Sequence, residues 1–512
     1  MKSVWTKTCH LSKHPTLEGD IRSQNVVIGA GMAGILIAYL LQEKGQEVII
    51  LEANEVASGQ TKNTTAKITS QHGCIYHNMI KNSGIERAKG YAKANEEAIQ
   101  KYKEMITKEG ISCHFEELPS FLYSVKEKGV EKLKKEAKAA KSLGIDAEYL
   151  LGNKITELPF GVMGAVRFMG QAQFHPLEFI EGIAKKLTIY EHTKVLEVDG
   201  HFVTTNRGVV VAENVIFATH YPFPITPGYY FLRQHQSRSY ALALKGKDVP
   251  KRLDGMYYGI DKDGLSFRTA DGQLILGGSS HRTGKRRKGK STSLSLCHSS
   301  DSCQNKLDTT SPIEMRVSTS KMNRDDNGKE NVGKKQGTYT DEVWFQKGNF
   351  AYLRKKAVIF YPQAEEVAHW AAQDCMPHDK IPFIGRFSVR KENWYIATGF
   401  QKWGMTTSMV SAMIISDRIV GQKNPYEKVF SPQRLLIRAG IKNFLVDIGE
   451  SSVGLIKGIF SKKEKKCRHM GCALIWNEEE KSWDCPCHGS RYTKEGELID
   501  NPAQKNISSD FV

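Results

Sequence analysis

A strand, a glycine-rich turn and a helix follow one another near the start of the chain, in the letters NVVIGAGMAGILIAYLL. Gly29 permits the turn, Gly31 lets the backbone approach a pyrophosphate, and Gly34 lets helix and strand pack closely. A second apolar strand ends in Glu52, at a spacing typical of a carboxylate that binds a ribose hydroxyl. This order predicts an α/β, Rossmann-like dinucleotide-binding domain, and a glycine-rich turn without a ligand is the alternative.

Two boxes of cysteine and histidine lie close to the C-terminus, in the letters CRHMGC and CPCHGS. They contain Cys467, His469, Cys485 and His488, and two thiolates with two imidazoles are the ligands of a Rieske [2Fe-2S] centre. A tetrahedral zinc site has similar ligands, but zinc fingers usually pair Cys with Cys and His with His. Each box here is mixed, so the pattern favours the cluster, with zinc as the alternative.

These boxes resemble the Rieske signature, and the resemblance implies how the ligands are shared. The first cysteine of each box would bind one iron, and the two histidines would bind the other. In Rieske proteins a second cysteine in each box often joins the two loops, which implies a disulfide between Cys472 and Cys487. Rieske domains usually place several strands before the first box, whereas here only the lysine-rich segment 461–466 precedes it. We therefore expect a small all-β module with a truncated supporting sheet.

The composition indicates a protein of a reducing compartment. A length of 512 residues predicts two to four domains. The ten cysteines include four in the boxes, and the others are scattered rather than spaced as a disulfide framework. The first residues lack an apolar signal core, and no apolar run is long enough for a membrane-spanning helix. We therefore expect a cytoplasmic protein.

The formal net charge of +17 raises the question of a nucleic-acid partner. The basic residues are dispersed, and no stacking-aromatic or helix-turn-helix pattern accompanies them. We therefore predict a solvated basic surface and no nucleic-acid binding. Docking to an acidic redox partner is the weaker alternative.

Further segments extend the resemblance over most of the chain. Two apolar runs, 215–219 and 394–400, are similar to strands of FAD enzymes, and the second continues through a loop into a helix rich in small residues. The matching segments are 26–52, 58–59, 64–73, 173–176, 379–386, 397–406 and the two boxes. The chain thus resembles a D-amino-acid-oxidase-type FAD oxidoreductase fused to a C-terminal Rieske domain. The resemblance implies a glutathione-reductase-type FAD-binding domain with an interleaved α+β substrate domain.

The resemblance also implies further site residues. Thr65, Val195, Gly399 and Gly404 would touch FAD, and His72, Lys402 and Trp403 are the candidates for catalytic residues near the flavin ring. The stretch 64–73 would pass beneath the flavin, and an N-capped helix or a loop is the alternative. The loop and helix after residue 399 would bring N–H groups and the helix dipole to the flavin's pyrimidine ring. His175, before a proline, would fix a turn. The alternative for Val195 is a plain valine of the core, and the alternative for His72, Lys402 and Trp403 is a packing or surface residue.

The pattern along the chain predicts a division into six segments. The boundaries are 1–80 for the first part of the FAD-binding domain, 81–282 for a helical and substrate region with FAD-domain strands near 165–220, 283–350 for a disordered polar insertion, 351–425 for the second part of the FAD-binding domain, 426–460 for a linker and 461–512 for the Rieske domain. We expect helices over 85–145 and strands over 165–245. The basic amphipathic stretch 433–460 is interpreted as a linker, with contact to a membrane surface as the alternative.

Together these features predict an FAD-dependent oxidoreductase that also carries a [2Fe-2S] cluster. It would oxidise a small-molecule amine or amino acid at FAD and pass electrons to the cluster, and from there to a redox acceptor. One alternative is an electron-transfer protein whose flavin is reduced by another protein. Another is a remnant that binds FAD and has lost its cluster.

Overall fold

The computed structural model describes residues 2–285, 348–434 and 465–507, together with Gly449 and one short strand pair inside the first gap. The α-helices are α1 (Trp5–Thr8), α2 (Met32–Glu43), α3 (Tyr76–Ser83), α4 (Ile85–Glu109), α5 (Glu127–Ser142), α6 (Pro176–Ala184), α7 (Asn349–Phe360), α8 (Gly404–Ile419) and α9 (Glu427–Phe430). The strands are β1 (Ile21–Ile28), β2 (Val48–Leu51), β3 (Lys67–Ile68), β4 (Glu116–Glu117), β5 (Ser120–Ser124), β6 (Ala147–Leu151), β7 (Gly164–Phe168), β8 (Ala172–Gln173), β9 (Thr188–Tyr190), β10 (Val195–Asp199), β11 (Phe202–Thr205), β12 (Val209–Phe217), β13 (Gln234–Lys245), β14 (Met256–Gly259), β15 (Ser266–Ala270), β16 (Gln273–Arg282), β17 (Leu294–Ser295), β18 (Glu342–Val343), β19 (Glu365–Pro377), β20 (Phe383–Ser388), β21 (Lys391–Thr398), β22 (Ile475–Asn477), β23 (Ser482–Asp484), β24 (Arg491–Tyr492) and β25 (Leu498–Asp500).

The first sheet is the Rossmann-like sheet that the glycine motif predicts. Its main order is β10-β11-β12-β1-β2-β9, and β21 pairs with β12 on its other side. β1 runs parallel to both β2 and β12, and β21 runs parallel to β12. Val26 and Val27 are both fully buried, as expected for a strand that is covered on both faces. The carboxyl ends of these parallel strands therefore form one edge, where dinucleotides bind in such sheets.

The second sheet belongs to the α+β part of the chain. Its order is β19-β13-β16-β15-β14-β5-β7-β6, and most of its neighbours are antiparallel. Ala241 and Trp370 on one face join the core that includes helices α2 and α8. Leu242 and Phe267 on the other face join a separate core that helix α7 covers. The α/β fold with an interleaved α+β region is thus confirmed.

The prediction of helices over 85–145 is wrong in its middle part. Helices α4 and α5 are present, but β4 and β5 lie between them. All five residues of β5 are buried because this strand lies inside the second sheet, between β14 and β7. A strand that is buried on both faces has no alternating pattern, so local periodicity could not identify it. Helix α6 also interrupts the predicted run of strands.

The C-terminal module is all-β, as predicted. Its four strands form one sheet in the order β22-β23-β24-β25. The box cysteines join Leu474 and Tyr492 in a core of its own. Within residues 465–507 every strand follows the first box, and since most of residues 435–464 lie outside the described residues, the truncation of the supporting sheet remains a prediction.

Several predictions fall on residues that the structure leaves undescribed. These are most of the polar insertion, 286–347, and most of the linker and basic stretch, 435–464. The six domain boundaries remain predictions. Among the described helices, none combines the length and the apolar character that a bilayer crossing requires.

Candidate cofactor sites

The glycine-rich turn after β1 leaves no space for a side chain at Gly29 or Gly34. Gly29 has φ +104°, and a Cβ added to it would lie 2.8 Å from the carbonyl oxygen of Ala218. A Cβ on Gly34 would lie 1.9 Å from the carbonyl oxygen of Gly29. The turn therefore requires glycine at one position for its conformation and at the other for contact between helix α2 and β1.

The N-terminus of helix α2 is shaped by a residue that the sequence analysis missed. Gly31 stands at the N-cap position and has no side chain to cap the helix. The Oγ1 atom of Thr61 accepts a hydrogen bond from the Met32 N–H at 3.0 Å instead. Thr61 lies in a short 3-10 helix, Gln60–Asn63, far from the glycine motif in the sequence. The other N–H groups of this first helical turn are of the kind that binds a pyrophosphate in Rossmann-like sites.

Glu52 lies at the end of β2, beside the glycine-rich turn. Its carboxylate oxygens accept hydrogen bonds from the N–H groups of Ala30, at 2.8 Å, and Asn54, at 2.9 Å. Burial raises the pKa of Glu52 even though these N–H groups favour its charged form. The contacts fix the carboxylate at the sheet edge where the ribose is predicted to bind.

The loop between β21 and helix α8 has the strand–loop–helix geometry expected for a flavin-ring site. Gly399 has φ +78°, and a Cβ added to it would lie 2.5 Å from Cγ of Pro377. The Gln401 N–H donates to the carbonyl oxygen of Cys375 at 2.8 Å, which ties the loop to β19. Helix α8 begins at Gly404, and its N-cap residue Trp403 makes no side-chain cap. The N–H groups of the first turn of α8 are therefore not hydrogen-bonded by the N-cap side chain, and the positive end of the helix dipole lies at this loop.

His72 links three elements beneath this loop. Its Nδ1 lies 2.6 Å from the Tyr91 hydroxyl, and its Nε2 lies 2.7 Å from the carbonyl oxygen of Thr69. Its ring stacks on Trp403, with the centroids 5.1 Å apart and an interplanar angle of 16°. Burial lowers the pKa of His72 to about 3, so the ring is neutral near pH 7. Both ring nitrogens have partners and the ring contacts Trp403, while the catalytic role of His72 remains a prediction.

The other two catalytic candidates contact the second sheet from the same loop. Lys402 donates to the hydroxyls of Ser239, at 2.9 Å, and Ser280, which ties it to the second sheet. Trp403 meets Tyr258 of that sheet edge to face at 5.5 Å. The structure therefore brings Lys402, Trp403 and Tyr258 to the region between the loop and the second sheet.

Two buried cations that the sequence analysis missed hold the stretch 64–73 against the second sheet. Arg268 donates to the carbonyl oxygens of Thr65 and Ala66, both at 2.7 Å. Lys67 donates to the carbonyl oxygen of Tyr257 at 3.1 Å and to the Ser266 hydroxyl. Burial lowers the pKa of Lys67 to about 7. The stretch contains the short strand β3, so the alternative of a capped helix is wrong.

Val195 packs in a core, and His175 caps a helix. Val195 begins β10, and its side chain is buried in the apolar core on one face of the first sheet. The Nδ1 atom of His175 accepts from the Glu178 N–H at 3.2 Å and so caps helix α6. The predicted turn-fixing role of His175 agrees with this cap, and the contact of Val195 with FAD remains a prediction.

The two cysteine–histidine boxes come together in the C-terminal module. The rings of His469 and His488 are perpendicular, with centroids 5.0 Å apart. A hydrogen bond with Cys485 and burial together raise the pKa of Cys467, so the first cysteines of the two boxes are neighbours. The two thiols are thus neighbours and so are the two imidazoles, and these are the two ligand pairs that a Rieske centre requires.

One ligand atom in this module is buried without a partner. The Nδ1 atom of His469 is inaccessible to solvent and has no hydrogen-bond partner among the described residues. Burial also lowers the pKa of His469 to about 4, so the imidazole is neutral and able to bind a metal. A buried polar atom without a partner is costly, and an iron ligand role removes that cost. The residues present therefore fit the cluster.

The second cysteines of the boxes lie beside the ligands. The sulfur atoms of Cys472, Cys485 and Cys487 all lie within 4.8 Å of one another. Cys472 and Cys487 are free thiols in the structure. Their disulfide remains a prediction, and the short distance is compatible with its formation after a small movement.

The second box is held by side chains of the flavoprotein sheet. Gln236 Nε2 donates to the carbonyl oxygen of His488 at 2.8 Å, and Gln373 Nε2 donates to that of Gly489 at 2.8 Å. Arg282 donates to the carbonyl oxygen of Cys487 at 2.9 Å. These side chains support the second box from outside the C-terminal module, and none of them was predicted from the sequence.

The turn between β22 and β23 forms a second contact between the two parts. The Glu479 carboxylate accepts hydrogen bonds from the N–H groups of Asn349, at 2.6 Å, and Phe350, at 3.0 Å, and so caps helix α7. Phe231 of the flavoprotein part lies edge-on to His488, with centroids 5.8 Å apart. The module is thus attached both at its histidine end and at its hairpin turn.

A third contact lies at the nucleotide edge of the first sheet. The Asn501 side chain donates to the carbonyl oxygens of Thr219, at 2.8 Å, and Tyr221, at 2.7 Å, in the loop after β12. Gln60, next to the helix-capping threonine, donates to Asp500 at 3.0 Å. The Rieske module therefore borders the predicted FAD site directly.

Comparison with protein families agrees with both sites. A family model for FAD-dependent oxidoreductases matches residues 25–418, and a model for the Rieske [2Fe-2S] domain matches residues 445–509. The first family's domain binds FAD, and the second binds a [2Fe-2S] cluster. The second match decides between the cluster and zinc in favour of the cluster.

Individual proteins are similar either to the whole chain or to one of its two parts. A putative Rieske 2Fe-2S iron–sulfur protein, YhfW of Bacillus subtilis, is 30% identical over 99% of this chain and 97% of its own length. The iron–sulfur subunit of the cytochrome b6-f complex of Microcystis aeruginosa is 43% identical over 42 residues, which are 8% of this chain and 24% of that protein. Glycine oxidase from Geobacillus kaustophilus covers 81% of this chain and 99% of its own, with a TM-score of 0.57 and 18% identity. L-amino acid deaminase from Proteus vulgaris covers 83% of this chain and 100% of its own, with a TM-score of 0.58 and 17% identity.

Proposed function

Since the chain belongs to the family of FAD-dependent oxidoreductases and carries a Rieske [2Fe-2S] domain near its C-terminal end, we propose that it oxidises an amine or amino acid at FAD and passes the electrons to the cluster. When bound, FAD accepts two electrons with a hydride, whereas a [2Fe-2S] cluster accepts one electron at a time. Two electrons therefore leave through the cluster in two steps, and a one-electron acceptor outside the chain takes each of them.

One observation carries the proposal: the flavoprotein sheet itself holds the cluster loop. Gln236 and Gln373 lie on adjacent strands of this sheet and donate to the carbonyl oxygens of His488 and Gly489. The loop that is predicted to bind the flavin ring is hydrogen-bonded to the second of these strands, through Gln401. A cluster on such a support lies next to the flavin site rather than on a separate domain.

The residues around the flavin site would bind and orient the flavin and the substrate and shield them from water, rather than exchange protons with them. Gly29 and Gly31 allow close approach of the backbone to the pyrophosphate. The N-terminus of helix α8 would stabilise negative charge on the reduced flavin ring. His72 is neutral and holds Trp403, which with Tyr258 would form an aromatic wall for the substrate.

The substrate class is supported by the fold and by the charges near the loop. Two proteins that share this fold, glycine oxidase and L-amino acid deaminase, are named for reactions of amino acids. Lys402 stands between the flavin loop and the second sheet, where a cation would attract a substrate carboxylate. A small amino acid or a related amine therefore fits the site.

The test uses the purified full-length protein under anaerobic conditions. Iron and acid-labile sulfide are measured first, and then glycine, sarcosine and D- and L-amino acids are added singly. We expect one of these compounds to bleach the flavin and to generate the paramagnetic signal of a reduced Rieske cluster. Reduction by a nicotinamide or a protein donor alone would instead favour an electron-transfer protein. Flavin without iron would favour the remnant and would contradict the proposal.

A further inference from the structure

The Gln236 side chain has a bonding partner for each of its polar groups. Its Nε2 donates to the carbonyl oxygens of His488, at 2.8 Å, and Asn501, at 2.9 Å. Its Oε1 accepts from Gln373 Nε2 at 2.7 Å. Because both N–H groups and the oxygen are used, the amide has one orientation, and the side chain is only 1% exposed. Gln236 therefore binds two segments of the Rieske module, one just before β24 and one just after β25.

The second box also contacts the flavoprotein sheet too closely for water to lie between them. Gly489 has φ +88°, and a Cβ added to it would lie 2.6 Å from Cβ of Gln236. A Cβ on Gly284 would lie 2.6 Å from Cα of Pro486. Both contacts exist only because glycine stands at these positions. The cluster loop is therefore in direct van der Waals contact with β13 and with the residues just after β16.

Gln236 also connects the cluster loop with the predicted flavin loop. It pairs with Cys375 in the ladder of β13 and β19. The carbonyl oxygen of Cys375 accepts from the Gln401 N–H at 2.8 Å, two residues after Gly399. The connection from the flavin loop to His488 thus consists of two hydrogen bonds and one strand pairing. It contains no mobile segment among the described residues.

The hairpin turn of the module supplies a separate attachment. Glu479 caps helix α7 with two backbone hydrogen bonds, and a Cβ added to Gly348 would lie 2.0 Å from its carboxylate. Two attachments at different ends of a small rigid body prevent it from rotating about either one. A module held in this way keeps one distance from the flavin site.

We propose that Gln236 is a positioning residue that holds the His488 side of the cluster at one place on the flavoprotein. Electrons then pass between flavin and cluster without movement of the Rieske module. This inference rests on the proposed function, because it concerns the transfer between the same two cofactors. The docking of the module, however, is measurable whether or not any substrate reduces the flavin.

The test compares three variants of the full-length protein with equal iron and flavin content. Gln236→Met keeps the size of the side chain and removes its hydrogen bonds without adding charge. Gln373→Met removes the bond to Gly489 and leaves Gln236 Nε2 able to reach His488, so it stays informative if the first variant folds poorly. Gln273→Met is the control, because Gln273 is also buried but lies at the opposite end of β16 from Arg282.

The first readout is hydrogen–deuterium exchange of residues 485–491, and the second is the rate of cluster reduction after flavin reduction. We expect Gln236→Met to speed the exchange by about tenfold or more, because the two buried hydrogen bonds to the carbonyl oxygens of His488 and Asn501 are lost. Electron transfer should slow by a similar factor, with smaller effects in Gln373→Met and none in Gln273→Met. Unchanged exchange and transfer in Gln236→Met would overturn the inference. Faster exchange in a protein whose flavin never reduces the cluster would support the docking and refute the proposed function alone.

Discussion

Arg238 and Glu480 form an ion pair in which the two side chains are 2% and 0% exposed. Arg238 belongs to β13 and Glu480 to the turn before β23, so the pair crosses from the flavoprotein sheet to the Rieske module. Arg491 shares the carboxylate at 2.8 Å. Burial alone would raise the pKa of Glu480, but the two guanidinium groups outweigh it and hold the pKa at about 2. The contact between the two parts thus contains a buried charge network.

Removing the shared carboxylate should loosen the module. Glu480→Gln removes the carboxylate closest to Arg238, and breaking a buried pair in this way costs about 3–5 kcal/mol. Arg491 keeps its pairs with Asp484, at 2.9 Å, and Asp500, at 3.0 Å. We expect a lower unfolding temperature and faster proteolysis of the C-terminal module. Glu478→Gln is the matched control, because Glu478 is 73% exposed in its pair with Lys481. The control should change the free energy of unfolding by less than about 1 kcal/mol, and equal effects of both variants would contradict the network's role.

Stability should rise with pH in the alkaline range because of Lys67. Burial lowers its pKa to about 7 in the folded protein, against the ordinary lysine value of 10.5 that the unfolded chain keeps. Between these values the unfolded chain binds more protons than the folded one, so raising the pH favours the folded state. The gain across this window is on the order of 5 kcal/mol. Denaturant unfolding of the wild type and Lys67→Met at a series of pH values measures it.

The variant Lys67→Met should lose this pH-dependent gain and keep whatever slope other groups produce. Lys101→Met, which removes an exposed lysine, should keep the wild-type slope. The same slope in the wild type and in Lys67→Met would show that this lysine keeps an ordinary pKa.

Flavin retention should depend on the turn at Gly29. Gly29→Ala places a Cβ 2.8 Å from the Ala218 carbonyl oxygen in a residue with φ +104°. We expect the purified variant to hold at most about a tenth of the wild-type flavin, since a cost of 1.4 kcal/mol already corresponds to tenfold in affinity. Gly45→Ala is the control: φ is +73° there, but no atom lies within 4 Å of the added Cβ. Full flavin content in Gly29→Ala, measured by absorbance per protein, would contradict the assigned site.

Loss of the cluster should leave the flavin in place. His469→Ala removes one imidazole ligand, and we expect iron and the Rieske signal to disappear. The flavin site lies in the other part of the chain, so its absorbance and its bleaching by the substrate should persist. His10→Ala, an exposed histidine, should retain both cofactors. A Rieske signal that survives in His469→Ala would show that this histidine is not a ligand.

Local sequence patterns predicted the parts of this protein that depend on neighbouring residues. The turn at Gly29 and the helix after it follow from residues a few positions apart, and both are present. The ligand boxes are also local, and the structure places His469 beside His488. Such features survive folding because their geometry is fixed within one turn or one loop.

The contacts that bring the two parts together could not be predicted in the same way. Gln236 and His488 lie 252 residues apart, and an isolated glutamine in a strand gives no sign of its partner. Lys67 and Arg268 become notable only once folding has buried them. The strand β5 was missed because its neighbours in the sheet come from distant segments. In each case tertiary packing decides the role of the residue, and one sequence does not contain that information in a local form.

The central claim is that electrons from the flavin reach the cluster within one chain. Rapid mixing of the anaerobic, oxidised protein with its reducing substrate, followed by freezing at successive times, measures this transfer by electron paramagnetic resonance. The account predicts that the signal of the reduced Rieske cluster grows after the flavin absorbance falls, at a rate independent of protein concentration. A flavin that is fully reduced while the cluster stays oxidised would contradict it.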